Sequence, residues 1–399
     1  MNKIPKGWEL KKLGEIFNVI GGGTPNTNNA EFWSGNISWI SSADIDKENF
    51  NAIPRKFITE NAIQNSATNL VPKNTIIVVT RVGLGKVAIT KEPMCFSQDS
   101  QALIPFEKIN VKFMAYQIKQ IAQNFINISR GTTINGITKQ NLKDCKICVP
   151  PLSEQKAIAD KLDDSFAKIE NAITNLINAK ENLKLYKQSV LKSAFNGDLL
   201  PNTSPTHWEV KKLGEICEIT MGQSPKGENV FENSQSLNGL EFHQGKICFT
   251  DKFISKSKFI TSDIRKIAEV GSILLCVRAP VGVINLTERK IAIGRGLCAL
   301  KANNQNNNFL YYYLLGLKQY FESKATGSTF SAITLNIVKN CEIPLPPLSE
   351  QNLIVTEIDR RFAIVDKTLN LIDKSIQNAK NLKQSILKKA FSGELRSEI

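Results

Sequence analysis

The chain writes Pro-Pro-Leu-Ser-Glu-Gln twice, at 150–155 and again at 346–351. Self-similarity at that separation is far too long for a solenoid period and describes the tandem duplication of a whole unit. The flanks repeat as well. WELKKLGEI (Trp8–Ile16) returns as WEVKKLGEI (Trp208–Ile216), and LKSAFNGDL (Leu191–Leu199) returns as LKKAFSGEL (Leu387–Leu395). Before each hexapeptide comes a related run, GTTINGITKQNLKDCKICV from Gly131 and GSTFSAITLNIVKNCEIPL from Gly327. A weaker echo pairs IIVVTRVGLGKVAI from Ile76 with ILLCVRAPVGVINL from Ile273, setting Arg81 opposite Arg278 and Gly85 opposite Gly282. The copies agree at their edges and diverge in their middles. Alike edges imply that both copies dock in the same way, and unlike middles imply that each faces something different.

Each hexapeptide opens a long helix. Pro151 and Pro347 suit helix entry, and Ser153 and Ser349 are expected to cap the free backbone N–H groups. Beyond them, alternating steps of three and four pick out Ala159, Leu162, Phe166, Ile169, Ile173, Leu176, Lys180, Leu183, Lys187 and Val190. In the second tail they pick out Val355, Ile358, Phe362, Val365, Leu369, Ile372, Ile376, Ala379, Lys383 and Ile386. That 3.5-residue period is a coiled-coil seam. No Pro or Gly interrupts either tail before Gly197 and Gly393, so each spans about 40 residues and about 60 Å. An apolar stripe of that length cannot stay exposed. The matching seams are expected to pair with each other inside one molecule, and antiparallel, because equivalent helices in a pseudo-twofold molecule run in opposite directions. Dimerisation of two molecules through the same seams is the alternative. The seam lysines are expected near the rod ends, where they reach water.

The two regions between the tails read as mixed α/β (α+β). NTIIVVT and GSILLCV are buried-strand runs, while VKFMAYQIKQIAQNF and NFLYYYLLGLKQYF are apolar-rich helices. With 42% hydrophobic residues the chain can bury real cores, and no apolar run is long enough to span a membrane. The polar start MNKIPKGWEL is no signal peptide, and eight cysteines fit reduced thiols rather than a disulfide framework. A cytoplasmic protein is expected. Lys+Arg outnumber Asp+Glu 51 to 37, giving +14 and pI ≈ 9.3, which favours a polyanionic partner. The excess is concentrated outside the tails: residues 1–150 carry 18 basic against 11 acidic side chains and residues 207–346 carry 17 against 12.

A search for catalytic machinery returns nothing. GLGKVA at 83–88 has neither the spacing nor the Ser/Thr of a phosphate-binding loop. Only two histidines exist, His207 and His243, which leaves no His-based triad or His-rich metal site. Cys145 and Cys148 form a CxxC, but zinc needs two further ligands, the second copy reads CEIP, and two such residues on a strand point to opposite faces. VIGGGTP lacks the strand–helix fingerprint of a dinucleotide site, and no Asn/Asp-Pro-Pro-aromatic segment of amino-methyltransferases is present.

A Trp-x-x-x-x-Leu-Gly-Glu opening, a variable region, a strand running into Pro-Pro-Leu-x-Glu-Gln, and a long helix ending Ala-Phe-x-Gly-x-Leu, all written twice, resemble the specificity subunit of type I restriction–modification systems. The resemblance covers essentially the whole chain. It implies two target recognition domains, at 1–150 and at 199–346 with its short linker, separated by spacer helices at 151–198 and 347–399. Each domain would read one half of a bipartite double-stranded DNA site. The coiled coil would set the spacing and dock two modification (methyltransferase) subunits, with restriction/translocase subunits joining them. S-adenosylmethionine, ATP and magnesium are then expected on those partners, with no cofactor, no metal and no catalysis in this chain. A reading from another class is a non-catalytic coiled-coil scaffold that joins two protein-binding modules; a free-standing enzyme is disfavoured by the missing motifs.

The loops rich in Gly, Ser, Thr and Asn, with interspersed Arg and Lys, suit phosphate and base-edge contacts. The candidates for DNA binding are Thr24, Asn26, Ser41, Arg81, Lys86, Arg130, Thr132 and Thr133 in the first copy. In the second they are Gln223, Lys226, Arg278, Arg295, Ser328 and Thr329. Trp39 is a candidate either for stacking on a base or for the core.

Overall fold

The computed structural model describes residues 4–122, 125, 136–201, 205–232, 239–327 and 331–395. They form two compact units, Met1–Leu176 with Ser375–Ile399, and Ile177–Lys374. The units therefore do not follow the linear segments, because each takes part of both long helices.

In the first unit the run Ile76–Val79 is buried at every position, as a strand covered on both faces must be. It lies inside a four-stranded antiparallel sheet ordered Phe17–Gly21, Ser100–Pro105, Ile76–Val79, Val87–Ile89. A smaller sheet orders Lys56–Ile58, Ile37–Ile40 and Cys95–Phe96, the last two running parallel. The helix Val111–Ala122 buries Phe113, Met114 and Ile118. The core of Trp8, Phe17, Val78, Leu103 and Phe113 is completed by Leu162 and Phe166 of the first long helix and Ala390 of the second. Leu162 is fully buried, and such a side chain contributes about 1.5–3 kcal/mol.

The second unit repeats the plan. Its four-stranded sheet is Cys217–Met221, Leu297–Ala302, Ile273–Cys276, Ile284–Leu286, followed by the helices Asn307–Gly316 and Lys318–Lys324. The second sheet is enlarged to five strands, with Leu240–His243 and Ile291–Ile293 parallel at the place where the first unit has its own parallel pair. Val190, Ala194, Ile354 and Ile358 from the two long helices close this core. The repeated motifs that follow the helices also dock: Leu199 joins the second core and Leu395 the first.

The hexapeptide is repeated because it latches the same parts in each unit. Glu154 accepts the Trp8 indole N–H at 3.0 Å, and Glu350 accepts that of Trp208 at 3.1 Å. Gln155 Nε2 donates to Pro150 O while its Oε1 accepts Asn110 N–H, at the head of the helix Val111–Ala122. Gln351 makes the same two bonds, to Pro346 O and from Asn306 N–H. Two residues thereby tie the helix entrance to the opening Trp segment and to the head of the helix Val111–Ala122 or Asn307–Gly316.

The long helices are Leu152–Phe195, with 44 residues, and Leu348–Ser392, with 45. Both are followed by a glycine at positive φ, Gly197 at 81° and Gly393 at 80°, which is the left-handed stop that only glycine takes without strain. Ser153 and Ser349 do not cap. The first turn closes earlier, on Pro151 O and Pro347 O, which accept Glu154 and Glu350 N–H, so both serines lie inside the helix. All of the seam positions are buried or half-buried. In the second unit Lys187 pairs with Asp366, and Lys180 pairs with Asp373 at 2.6 Å. Seven residues back along one helix match seven forward along the other, so the pair is antiparallel and intramolecular. In the first unit Lys383 reaches Glu170 at 2.7 Å. The seam lysines are thus not at the rod ends as expected. They lie along the pairing face, where Lys187 covers the Phe362 ring at 4.7 Å and Lys383 the Phe166 ring at 4.9 Å, each ammonium satisfied by an acid across the seam.

Candidate nucleic-acid interface

Each four-stranded sheet has two unlike ends. One is tied to the helices: Phe106 N–H donates to Ile16 O, and Asn303 N–H to Ile216 O, next to the Asn110–Gln155 and Asn306–Gln351 latches. At the other end the register pairs Gly21 with Gln101 and Val79 with Ser100, so the loops that leave those strands gather away from the latch.

A four-residue turn is the hub of that end in both units. In the first, Ser100 N–H donates to Ser97 O at 3.1 Å, Ser97 N–H to Ile40 O at 2.9 Å, Gly23 N–H to Phe96 O at 2.9 Å and Thr80 N–H to Asp99 O at 2.8 Å. In the second, Leu297 N–H donates to Gly294 O at 2.9 Å, Gly294 N–H to His243 O at 2.8 Å, Gln223 N–H to Ile293 O at 3.1 Å and Val277 N–H to Gly296 O at 3.0 Å. The bonds match one for one. They set Gln98 opposite Arg295, and both side chains are exposed.

Several candidates meet at this hub. The Thr24 hydroxyl donates to Gln98 Oε1. Arg81 is exposed, and its N–H donates to Asp99 O at 3.2 Å. Lys86 Nζ donates to Ser42 O at 2.8 Å and so joins the 83–86 and 41–44 loops. Gln223, Arg278 and Arg295 are exposed on the corresponding loops of the second unit. Ser41 and Asn26 serve the loops themselves. Ser41 Oγ and N–H both donate to Asp44 Oδ2, at 2.7 and 2.8 Å, in a capping box. Asn26 Oδ1 accepts Asn28 N–H at 3.0 Å. Lys226 is 80% exposed beside Glu228 at 3.8 Å, farther along its loop. Arg130, Thr132, Thr133, Ser328 and Thr329 lie outside the described residues.

Gly22 of GGGTP and its counterpart Gly222 pack against their own chain. A Cβ on Gly22 would stand 2.2 Å from Ser97 O, and one on Gly222 would stand 2.1 Å from Gly294 O; they let the loop press against the hub turn. Of the two roles open to it, Trp39 takes the core one. It is 4% exposed and donates to Gly23 O at 3.0 Å, so it is a core residue that braces the same loop.

Sequence reasoning missed Gln98, and also Gln244, whose amide exchanges bonds with Ser224 at 2.8 and 3.1 Å. A turn at Ser-Gln-Asp-Ser between apolar runs was legible. Its importance was not, because it arises from a parallel strand pairing distant in sequence.

The remaining chemistry-bearing residues are structural. His243 is buried, its Nε2 2.7 Å from Glu241 Oε1, and burial pushes its pKa below the usual value. Arg289 grips Glu241 with Nε and Nη2 at 2.5 and 2.7 Å. Burial works to raise the Glu241 pKa, but Arg289, the Ser257 N–H and His243 together hold it down to about 2. Burial pushes the Cys145 and Cys148 thiols upward, the opposite of an activated thiolate. Among the described residues there is no cluster of three or more His, Cys, Asp or Glu able to hold a metal, and no helix long and apolar enough to cross a membrane.

A family model described as the type I restriction modification DNA specificity domain matches this chain twice, over residues 5–179 and 205–379. The chain belongs to this family. Each match takes in one hub turn, one Trp latch and part of one long helix. Among the relatives in the specificity family, the type I restriction enzyme MjaIX specificity subunit of Methanocaldococcus jannaschii is 28% identical over 421 residues, covering 100% of this chain and 96% of its own. The EcoKI specificity subunit of Escherichia coli K12 is 26% identical over 434 residues, covering 99% and 91%. Among solved structures, a chain from work on complex assembly and conformational transition of the type I R-M system superposes with TM-score 0.81, 26% identity and 98% coverage of both chains. The HsdS subunit of Thermoanaerobacter tengcongensis gives 0.65, with 26% identity and 98% coverage of both.

Proposed function

We propose that this chain is the DNA-recognition subunit of a type I restriction–modification complex, with each loop cluster reading one half of a bipartite site. The observation that carries this reading is the duplicated hub, a turn held by one set of backbone bonds in both units and presenting different exposed side chains, in a chain of net charge +14. An identical frame with different polar side chains suits two readers of one polymer that carries two different words. Backbone phosphates would be met by the excess of Lys and Arg, and base edges by the exposed loop side chains. The paired helices would set the distance between the half-sites and dock two modification subunits. S-adenosylmethionine would be bound by those subunits, and ATP with magnesium by restriction/translocase subunits where these join. The chain itself would perform no catalysis and would act in the cytoplasm. The test is selection from a random duplex library by the complex of this chain with its modification subunits. A bipartite motif with an unread gap is expected, together with affinity that falls with salt at a log–log slope of about −0.9 per neutralised phosphate. No enriched motif and a flat salt response would refute the reading.

A further inference from the structure

The hub turn is more specific than a loop that happens to face outward. Residues on both sides of Gln98 and of Arg295 are locked: the preceding residue by its N–H on the end of a parallel strand, the following one by its C=O on the strand that leads to Arg81 or Arg278. Gly22 and Gly222 lie so close beneath the turn that no side chain fits there. The backbone of this turn is the same in two units whose loops otherwise differ in length and sequence. All four residues differ between the turns, Ser97-Gln98-Asp99-Ser100 against Gly294-Arg295-Gly296-Leu297, but in each only the second is exposed, Gln98 and Arg295.

The two side chains carry different hydrogen-bonding patterns. A glutamine amide presents a donor beside an acceptor, which matches N7 and N6 of adenine in the major groove, while a guanidinium presents parallel donors, which match N7 and O6 of guanine. Among the described residues Arg295 has no ion pair that would compete with such a use. Gln98 is oriented by Thr24, whose hydroxyl donates to Oε1. Oε1 retains a second lone pair, and Nε2 has no protein partner among the described residues.

On the DNA-recognition reading given above, we propose that Gln98 and Arg295 are the equivalent specificity-determining residues of the two half-sites, Gln98 selecting adenine at one base pair and Arg295 guanine at one base pair. Thr24 is a positioning residue for Gln98. Because each half-site is read by its own unit, a change in one leaves the other as an internal control for folding and assembly.

The experiment is library selection with the assembled modification complex, using wild type, Gln98→Arg, Arg295→Gln and Thr24→Val. Gln98→Arg is expected to change one position of one half-site from adenine to guanine. Arg295→Gln is expected to change one position of the other half-site from guanine to adenine. Thr24→Val is expected to weaken the preference only at the position that Gln98→Arg alters, where discrimination against the wrong base pair is roughly 10- to 100-fold. An unaltered motif in both exchange variants, or changes at several positions or in the wrong half, would overturn the assignment. So would an assembled variant that enriches no sequence, since one base-edge contact is too small to abolish selection. If the wild-type complex itself yields no bipartite motif, the DNA-recognition reading falls and this inference falls with it. A wild-type motif that the exchanges do not touch refutes the inference alone.

Discussion

Replacing Gln155 with alanine tests whether the repeated hexapeptide is a latch. Gln155 is 3% exposed. Its Oε1 accepts Asn110 N–H at 2.9 Å and its Nε2 donates to Pro150 O at 2.8 Å. Alanine removes both partners at once, and each orphaned backbone group costs about 1–3 kcal/mol. The expected loss is therefore about 2–6 kcal/mol, with about 3 kcal/mol as a working figure, a large share of the ~5–15 kcal/mol that holds a typical domain together. Gln351→Ala should cost somewhat more, because Gln351 Nε2 also donates to Gln305 Oε1 at 2.7 Å. Two units need not unfold together, so the assay must resolve them. Hydrogen exchange read by mass spectrometry does so, with peptides covering 111–122 and 307–316. Gln155→Ala should speed exchange in 111–122 by roughly 100-fold, at about 1.4 kcal/mol per decade, and leave 307–316 unchanged. Gln351→Ala should do the reverse. Protection that stays within about threefold of wild type in both variants would refute the latch.

The remaining predictions address other links in the argument. Inserting one seven-residue seam repeat into both helices at paired positions lengthens the rod by about 10 Å, or about three base pairs; the selected motif should keep both half-sites and change only its gap, and an unchanged gap would remove the helices' role as a spacer. Gly22→Ala places a Cβ 2.2 Å from Ser97 O, so the hub turn must shift, and selectivity should collapse across the first half-site while the thermal midpoint moves only a few degrees. In the second unit the folded-state pKa of Glu241, about 2, lies below the 4.5 of an ordinary glutamate carboxyl. Its contribution is therefore present above about pH 4.5 and is lost as pH falls toward 2, by up to about 3 kcal/mol. Glu241→Gln should lower stability at pH 7 and flatten that acid dependence, as read from urea midpoints at pH 7 and pH 3.

Much of the architecture was legible before any coordinates. The seam was visible because helical periodicity is local and every third or fourth residue must face the same partner; the positions chosen on that basis are all sheltered. The stops at Gly197 and Gly393 were visible because left-handed backbone strongly favours glycine. The pairing of Arg81 with Arg278 and of Gly85 with Gly282 held: Gly85 and Gly282 lie at φ 88° and 82° in matching turns, with N–H groups on Val79 O and Cys276 O. The candidate site was legible only in part. Composition pointed to loops and left Trp39 open between a base and the core, which the structure decides for the core. The role of Gly22 was not legible, since a glycine kept for its own chain's packing is indistinguishable in sequence from one kept for a ligand.

The amino-acid order by itself determined that the unit is doubled, that two long helices share a seam, and that the charge excess lies outside them, because repetition, period and composition are properties of neighbours along the chain. Only the tertiary structure decided which side chain each unit offers. Gln98 and Arg295 become equivalent through the parallel pairing of Ile37–Ile40 with Cys95–Phe96 and of Leu240–His243 with Ile291–Ile293. Such pairings join segments about fifty residues apart and are chosen by the packing of the whole core rather than by any local preference. The seam lysines follow the same rule: their burial rests on acids and aromatic rings contributed by the other helix, which no local pattern announces.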